Sequence, residues 1–223
     1  WSVVADELID GTKISETDKD LGSREIMRNA KAFYWRAAEV DTSIRPGWFY
    51  HQKENAKVKG IKKLTDIYYR SVGGNCTLLL NIPPDRRGLF HENDVKRLAD
   101  LGAAIRSDFR VCLSEDAELT ADKCDGRNLI ENVRTDSYDS YFAAPDGENK
   151  VTITITLPES RKIRMLVLKE NILLSQRIEG FTVDCRHGKG WKHLYDGTTV
   201  GYKRIVRLRP IVTNTIRITV TDS

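Results

Sequence analysis

Hydrophobic positions change their rhythm near the middle of the chain. In the stretch 92–109, Val95, Leu98, Leu101, Ala104/Ile105 and Phe109 recur every three or four residues. That spacing gathers them on one face of a helix. Val58, Ile61, Leu64, Ile67/Tyr68 and Val72 do the same over 56–72, and Gly73-Gly74 follow. Glycine leaves helical φ/ψ without steric cost, so the helix stops there. Between the two helices runs Cys76-Thr77-Leu78-Leu79-Leu80-Asn81-Ile82, ended by Pro83-Pro84. An apolar run without alternation predicts a strand buried on both faces, as in a parallel sheet flanked by helices. Upstream, 38–45 read as an extended strand puts Glu39, Asp41, Ser43 and Arg45 on one face and Val40, Thr42 and Ile44 on the other. Residues 10–35 carry no strand pattern and read as a long polar loop with a short helix near Ser23–Ala32.

With Val3-Val4 as a first strand, the first half alternates β and α units. That order fits part of a doubly wound sheet or of a (β/α)8 barrel. A whole barrel takes about 250 residues, so this half supplies at most the last two or three units of one.

After Val111 the rhythm becomes a period of two. Val151-Thr-Ile-Thr-Ile-Thr-Leu157 alternates strictly, and Ile163, Met165 and Val167 continue. Phe181, Val183 and Cys185 follow, then Trp191, Leu194 and Tyr195, then Val200, Tyr202, Ile205 and Leu208, and last Ile216, Ile218 and Val220. Asp146-Gly147, Gly188-Lys189-Gly190 and Asp196-Gly197 mark turns. Half-buried strands at this spacing predict an antiparallel β-sandwich. The boundary falls near 108–112, giving an α/β unit over 1–109 and an all-β unit over 110–223.

Composition narrows the function classes. The 223 residues are 40% hydrophobic and 30% charged, enough for a core. Runs such as Met165-Leu166-Val167-Leu168 are far shorter than the ~18 residues of a membrane span. The net charge of +4 is divided evenly between the halves, unlike the basic face of a nucleic-acid binder. The run Lys57-Val58-Lys59-Gly60-Ile61-Lys62-Lys63 reads as a solvated helix face. Cys76, Cys112, Cys124 and Cys185 form no Cys-x-x-Cys, and the four histidines lack zinc spacing. Free thiols are expected, with a Cys112–Cys124 bridge as the alternative. Asn75-Cys76-Thr77 fits the glycosylation pattern but stands between a helix stop and a buried strand, so it reads as fortuitous.

Candidate chemistry concentrates on 39–51. Two carboxylates and a guanidinium in one row need partners if buried. They form either a structural ladder, Glu39 or Asp41 against Arg45, or a polar row facing a ligand. Trp48-Phe49-Tyr50-His51 then place aromatic groups on a loop. Flat aromatic faces suit the apolar patches of sugar rings, although core packing suits Phe49 and Tyr50. Asn81, at the end of its strand, either caps the loop backbone or bonds a ligand.

Trp35-Arg36-Ala37-Ala38-Glu39-Val40-Asp41-Thr42-Ser43-Ile44-Arg45-Pro46-Gly47-Trp48-Phe49-Tyr50-His51 closely resembles a segment of the α-L-fucosidases of glycoside hydrolase family 29. Val72-Gly73-Gly74-Asn75-Cys76-Thr77-Leu78-Leu79-Leu80-Asn81-Ile82-Pro83-Pro84-Asp85-Arg86-Arg87-Gly88 resembles the strand closing their barrel, and Asp94 to Phe109 their last barrel helix. The Glu-x-Asp-x-Ser-Ile-Arg-x-Gly-Trp-Phe form is similar to the subgroup preferring α-1,3/1,4-linked fucose. The second half resembles, more loosely, that subgroup's galactose-binding or discoidin-like sandwich.

The resemblance implies retaining hydrolysis on a (β/α)8 barrel, without cofactor or metal. An Asp nucleophile and a Glu acid/base lie about 5–5.5 Å apart in such enzymes. The nucleophile's Trp-Phe-Asp-Gly type motif does not occur here, and the acid/base is expected just upstream of Trp1. No catalytic residue is therefore assigned to this chain. It begins with Trp1 rather than Met and is expected to be a C-terminal piece, inactive alone, whose sandwich lacks its final strand. The resemblance places Trp48 against the apolar side of fucose, with Glu39, Asp41 and Arg45 lining or bracing the cleft. Asn81 and Trp1 are further candidates. The implied partner is a fucosylated oligosaccharide or glycoconjugate outside the cytoplasm, with no nucleic acid and no membrane. The rival reading is a non-catalytic piece in which the β-sandwich, with Trp191, Tyr195 and Tyr202 as a platform, binds carbohydrate. A third treats the sandwich as scaffold.

Overall fold

The computed structural model describes residues 3–15 and 23–223. In the first half, β1 (Val3–Ala5) pairs antiparallel with β2 (Phe33–Trp35), and α1 (Arg24–Arg28) lies between them in sequence. The polar stretch 10–35 thus ends in a short strand that its pattern did not announce. Phe33, Tyr34 and Trp35 are all exposed, so no alternation marks them.

The next unit is β3 (Glu39–Ser43), α2 (Ile61–Ser71), β4 (Thr77–Asn81) and α3 (Glu92–Asp108). β3 and β4 run parallel, with Glu39 opposite Thr77, Asp41 opposite Leu79 and Ser43 opposite Asn81. The helices cover one face of this pair. Ile44, Leu64 and Leu101 form the core there, joined by Leu80, Ile82, Ile67, Leu98 and Ile105. Val95, on the expected apolar face of α3, is instead half exposed. β4 is not buried on both faces either: Leu79 is 50% exposed. Among the described residues no element packs on that side, and it carries the odd-numbered residues Glu39, Asp41, Thr77 and Leu79.

The second half is one antiparallel sheet in the order β5-β6-β9-β7-β8. Its strands are β5 (Glu118–Ala121), β6 (Val151–Leu168), β7 (Gly180–His187), β8 (Gly190–Gly197) and β9 (Arg204–Asp222). The separate strand patterns around 151–157 and 163–167 merge into β6, and those around 205–208 and 216–220 into β9. Register shifts near 156–161 and 163–165 interrupt the long β6–β9 ribbon. One hydrophobic cluster gathers side chains from both ends of it, including Leu157, Ile163, Val206 and Ile216, around Phe181 and Val183.

Of Trp191, Tyr195 and Tyr202, the first and last stay exposed, at 37% and 48%. Tyr195 packs against the core beside Phe181, and its hydroxyl accepts from Arg204. Tyr202 lies under Lys169, and Trp191 under Arg186 and Arg217. On the outer face of the sheet, Arg217 donates twice to Asp184, whose other oxygen meets His193 Nδ1 at 3.2 Å. His193 Nε2 meets Asp196 at 3.0 Å.

Asp196, and next Asp184, push the His193 pKa above its ordinary 6.5. A raised pKa means that folding favours the protonated ring. The linked stability is present in full below the unfolded value and is lost as pH rises through the folded one. The His193 ring resonances in NMR are expected to titrate above pH 6.5, with Asp196→Asn lowering the midpoint. A wild-type midpoint at or below 6.5 would contradict the cluster.

The two halves join at the glycines that stop α2. Ile205 N–H donates to the Gly73 carbonyl, and Gly74 bridges Arg204. A Cβ on Gly73 would lie 2.3 Å from the Tyr69 carbonyl oxygen and 2.7 Å from Ile205 Cβ, so only glycine fits. Asn75, at φ 68°, donates to the Val200 carbonyl and accepts from Lys203 N–H. Its side chain is committed to this joint, which agrees with the reading of its glycosylation pattern as fortuitous. Asp66–Arg207 and Asp108–Arg164 pairs flank it. All four cysteines are free thiols, with Cys112 exposed.

Candidate functional site: the open face and loops of the parallel strand pair

In a parallel sheet, ligands bind beyond the carboxyl ends of the strands. Here those ends are Ser43 and Asn81, and the loops after them carry the candidate residues. Alternation in β3 leaves Glu39 and Asp41 exposed on the open face, as the pattern requires. Neither makes a side-chain hydrogen bond or ion pair among the described residues.

Ser43, next on that face, is buried. Its hydroxyl accepts from Asn81 Nδ2 at 3.1 Å, and the same Asn81 amide donates to the Trp48 carbonyl at 2.9 Å. Asn81 thus acts as the loop cap. It fixes the backbone of the residue that carries the exposed indole, since Trp48 is 51% exposed. Lys59 holds the loop from behind, donating to the Arg45 carbonyl at 2.8 Å and to that of Ser43. Burial, and the nearby Lys63 charge, lower its pKa. Lys59 therefore departs from the solvated face expected of its run.

Arg45 requires a correction. Extended geometry would put it in the row with Glu39 and Asp41, but β3 ends at Ser43 and the chain turns. Arg45 is fully buried. Its Nε donates to Asp94 at 2.9 Å, a second guanidinium nitrogen lies 2.8 Å from the same oxygen, and the third donates to Asn55 at 3.0 Å. Its guanidinium also lies 4.8 Å from the centre of the Tyr50 ring. Asp94, equally buried, sits in the first turn of α3, where the helix dipole favours a carboxylate. Arg45 touches no open cleft surface. It is a positioning residue that ties the loop after β3 to the start of α3.

Asp94, Asn55 and Lys59 escaped the sequence reading. Asp94 lies 49 residues from Arg45, and nothing in periodicity links them. Of the other candidates, Trp1 lies outside the described residues. Tyr50 packs inward against Arg45, while Phe49 is 78% exposed rather than part of a core.

Residues 2–107 match the model of the alpha-L-fucosidase family. Alpha-L-fucosidase 1 of Arabidopsis thaliana is 36% identical over 184 residues, which is 80% of this chain and 36% of that protein. Over these residues the chain is similar to the alpha-L-fucosidases. A Ruminococcus gnavus fucosidase of glycoside hydrolase family 29, solved in complex with fucose, superposes with a TM-score of 0.81 at 31% identity. That match covers 87% of this chain and 41% of the fucosidase chain. A family 29 member from an unknown rumen bacterium gives a TM-score of 0.73 at 28% identity, covering 98% of this chain and 35% of its own. Both halves therefore lie within the fold shared with fucosidases. The chain spans about a third of the length of its curated relatives.

Proposed function

We propose that this chain forms the last βα units of a (β/α)8 α-L-fucosidase barrel and a discoidin-like β-sandwich, whose layers are the one five-stranded sheet folded over a single core. The enzyme is a retaining exo-hydrolase that prefers α-1,3/1,4-linked fucose. The observation that carries the reading is the open face of β3–β4, with the Trp48 loop pinned at its carboxyl end by Asn81, inside the fucosidase match. Trp48 offers a flat apolar surface to the sugar, and Glu39 and Asp41 offer acceptors to its hydroxyls.

Glu39 and Asp41 do not supply the chemistry themselves. Two residues apart on one strand, they point the same way, with backbones about 6.6–6.8 Å apart. A retaining pair must face each other across the glycosidic bond at about 5–5.5 Å. The reading takes both catalytic carboxylates from outside these 223 residues, because the nucleophile motif that the resemblance implies does not occur in them. In this reading the β-sandwich serves as scaffold: Tyr195 packs against the core, and cations stand over the Trp191 and Tyr202 rings.

The purified 223-residue chain is expected to release no fucose from a nitrophenyl α-L-fucoside. The same chain expressed with its upstream coding sequence is expected to release it. Turnover by the 223 residues alone would overturn the assignment of the catalytic pair, and an inactive extended chain would overturn the fucosidase reading.

A further inference from the structure

The β7–β8 hairpin carries Arg186-His187-Gly188-Lys189-Gly190-Trp191-Lys192, a stretch with three permanent cations and no acid. Gly188, at φ 56°, makes the tight turn between the paired residues His187 and Gly190. β9 passes alongside, and the Thr213 hydroxyl donates to the Arg186 carbonyl at 3.3 Å. On the other side of β9 stands β6, with Arg161 opposite Thr213 and Lys162 opposite Val212. Neighbouring strands lie about 4.8 Å apart, so the backbones of Lys162 and Arg186 are roughly 10 Å apart. The sheet thus gathers Arg161, Lys162, Arg186, Lys189 and Lys192, with His187, into one band from β6 to β8.

The band is exposed and largely unneutralised. All six side chains are exposed. Among the described residues, those of Lys162, His187, Lys189 and Lys192 make no hydrogen bond or ion pair, and Arg186 lies only over the Trp191 ring. Arg161 has an acidic partner, Glu159 at 2.6 Å. The acids of β7 and β8, Asp184 and Asp196, are engaged by Arg217 and His193. Other cations of this half are paired: Arg164 with Asp108, Arg207 with Asp66 and Lys123 with Glu148. The even charge of the two halves conceals the band, because folding brings its segments together from distant parts of the chain.

Unpaired cations in a row attract a ligand that carries negative charge at intervals along its length. Candidate polyanions differ in what else they need. A single-stranded nucleic acid needs free aromatic faces for its bases, and here Arg186 and Arg217 lie over the Trp191 ring. A lipid surface needs apolar residues that enter it, and the turn His187-Gly188-Lys189-Gly190 offers none. A sulfated polysaccharide needs charged donors for its sulfate oxygens, and guanidinium and ammonium groups supply them.

We infer that this band is a docking surface for a sulfated polysaccharide. The inference stands apart from the fucosidase reading and needs no turnover.

It is testable on the 223 residues with a fluorescently labelled heparin oligosaccharide. Saturable binding is expected. Raising sodium chloride from about 50 to about 200 mM should weaken the apparent Kd on the order of a hundredfold, as counterion release by about five cations requires. Lys189→Gln with Lys192→Gln should weaken it about tenfold at low salt, and Arg161→Gln with Lys162→Gln likewise, while the NMR spectra stay folded. Lys57→Gln with Lys63→Gln, which removes the same charge from the first half, should change it less than about twofold. The fully desulfated oligosaccharide should not bind. Absence of saturable binding would overturn the inference. An equal loss in the Lys57/Lys63 protein would also overturn it, since net charge alone would then account for binding. Tighter binding of DNA or of phosphatidylserine vesicles than of heparin would overturn it by assigning the band to another class of partner.

Discussion

Replacing Arg45 with methionine is expected to destabilise the chain by about 3–5 kcal/mol, the usual cost of removing one partner of a buried pair. Asp94 is fully buried, and one of its oxygens already lacks a hydrogen-bond partner. Without the guanidinium, the carboxylate keeps no cation and loses the hydrogen bond from Arg45 Nε and the ion-pair contact with the adjacent nitrogen. The same change frees Asn55 and the ring face of Tyr50, which Arg45 now braces. A double replacement, Arg45→Met with Asp94→Leu, should recover a large part of the loss, because it leaves no buried charge behind. Urea unfolding of the four proteins of this cycle measures both quantities. A loss below about 1 kcal/mol for Arg45→Met would mean that the pair does not hold this corner of the fold.

That pair also marks where the sequence ceased to be legible. Both long helices, the parallel strands and the helix stop at Gly73-Gly74 were readable, because each rests on local periodicity or a local backbone demand. The Glu39–Asp41 face was readable for the same reason, since side chains two apart on a strand share a side. Arg45 broke the pattern because β3 ends two residues earlier, and a strand end depends on what the chain packs against next. The open side of β4 was hidden differently. Leu78, Leu79 and Leu80 look alike in sequence, yet only alternate ones meet the helices. In the second half, alternation located the strand segments. It did not reveal that β6 and β9 run on through register shifts as two long strands. The Phe33–Trp35 strand was invisible because its side chains are all exposed and no polar–apolar contrast remains.

The other large effect concerns Trp48. Among the described residues no hydrogen bond or ring contact holds the indole, which is half exposed while its backbone is held by Asn81. Removing it should therefore leave stability within about 0.5 kcal/mol of wild type, as for surface changes generally. In the proposed function its value lies in an apolar contact with the sugar ring. Truncating a central aromatic contact costs about 2–3 kcal/mol, which is roughly 30- to 150-fold in kcat/KM. Asn81→Ala should act on the same parameter more weakly, since it releases the loop but leaves the ring in place.

The most direct test is kcat/KM for a nitrophenyl α-L-fucoside, measured on the chain expressed with its upstream coding sequence, with Trp48 and with alanine in its place. If the open face of β3–β4 is a wall of the fucose cleft, the alanine protein stays folded and loses roughly 30- to 150-fold. Unchanged kcat/KM in a folded Trp48→Ala protein would contradict that placement.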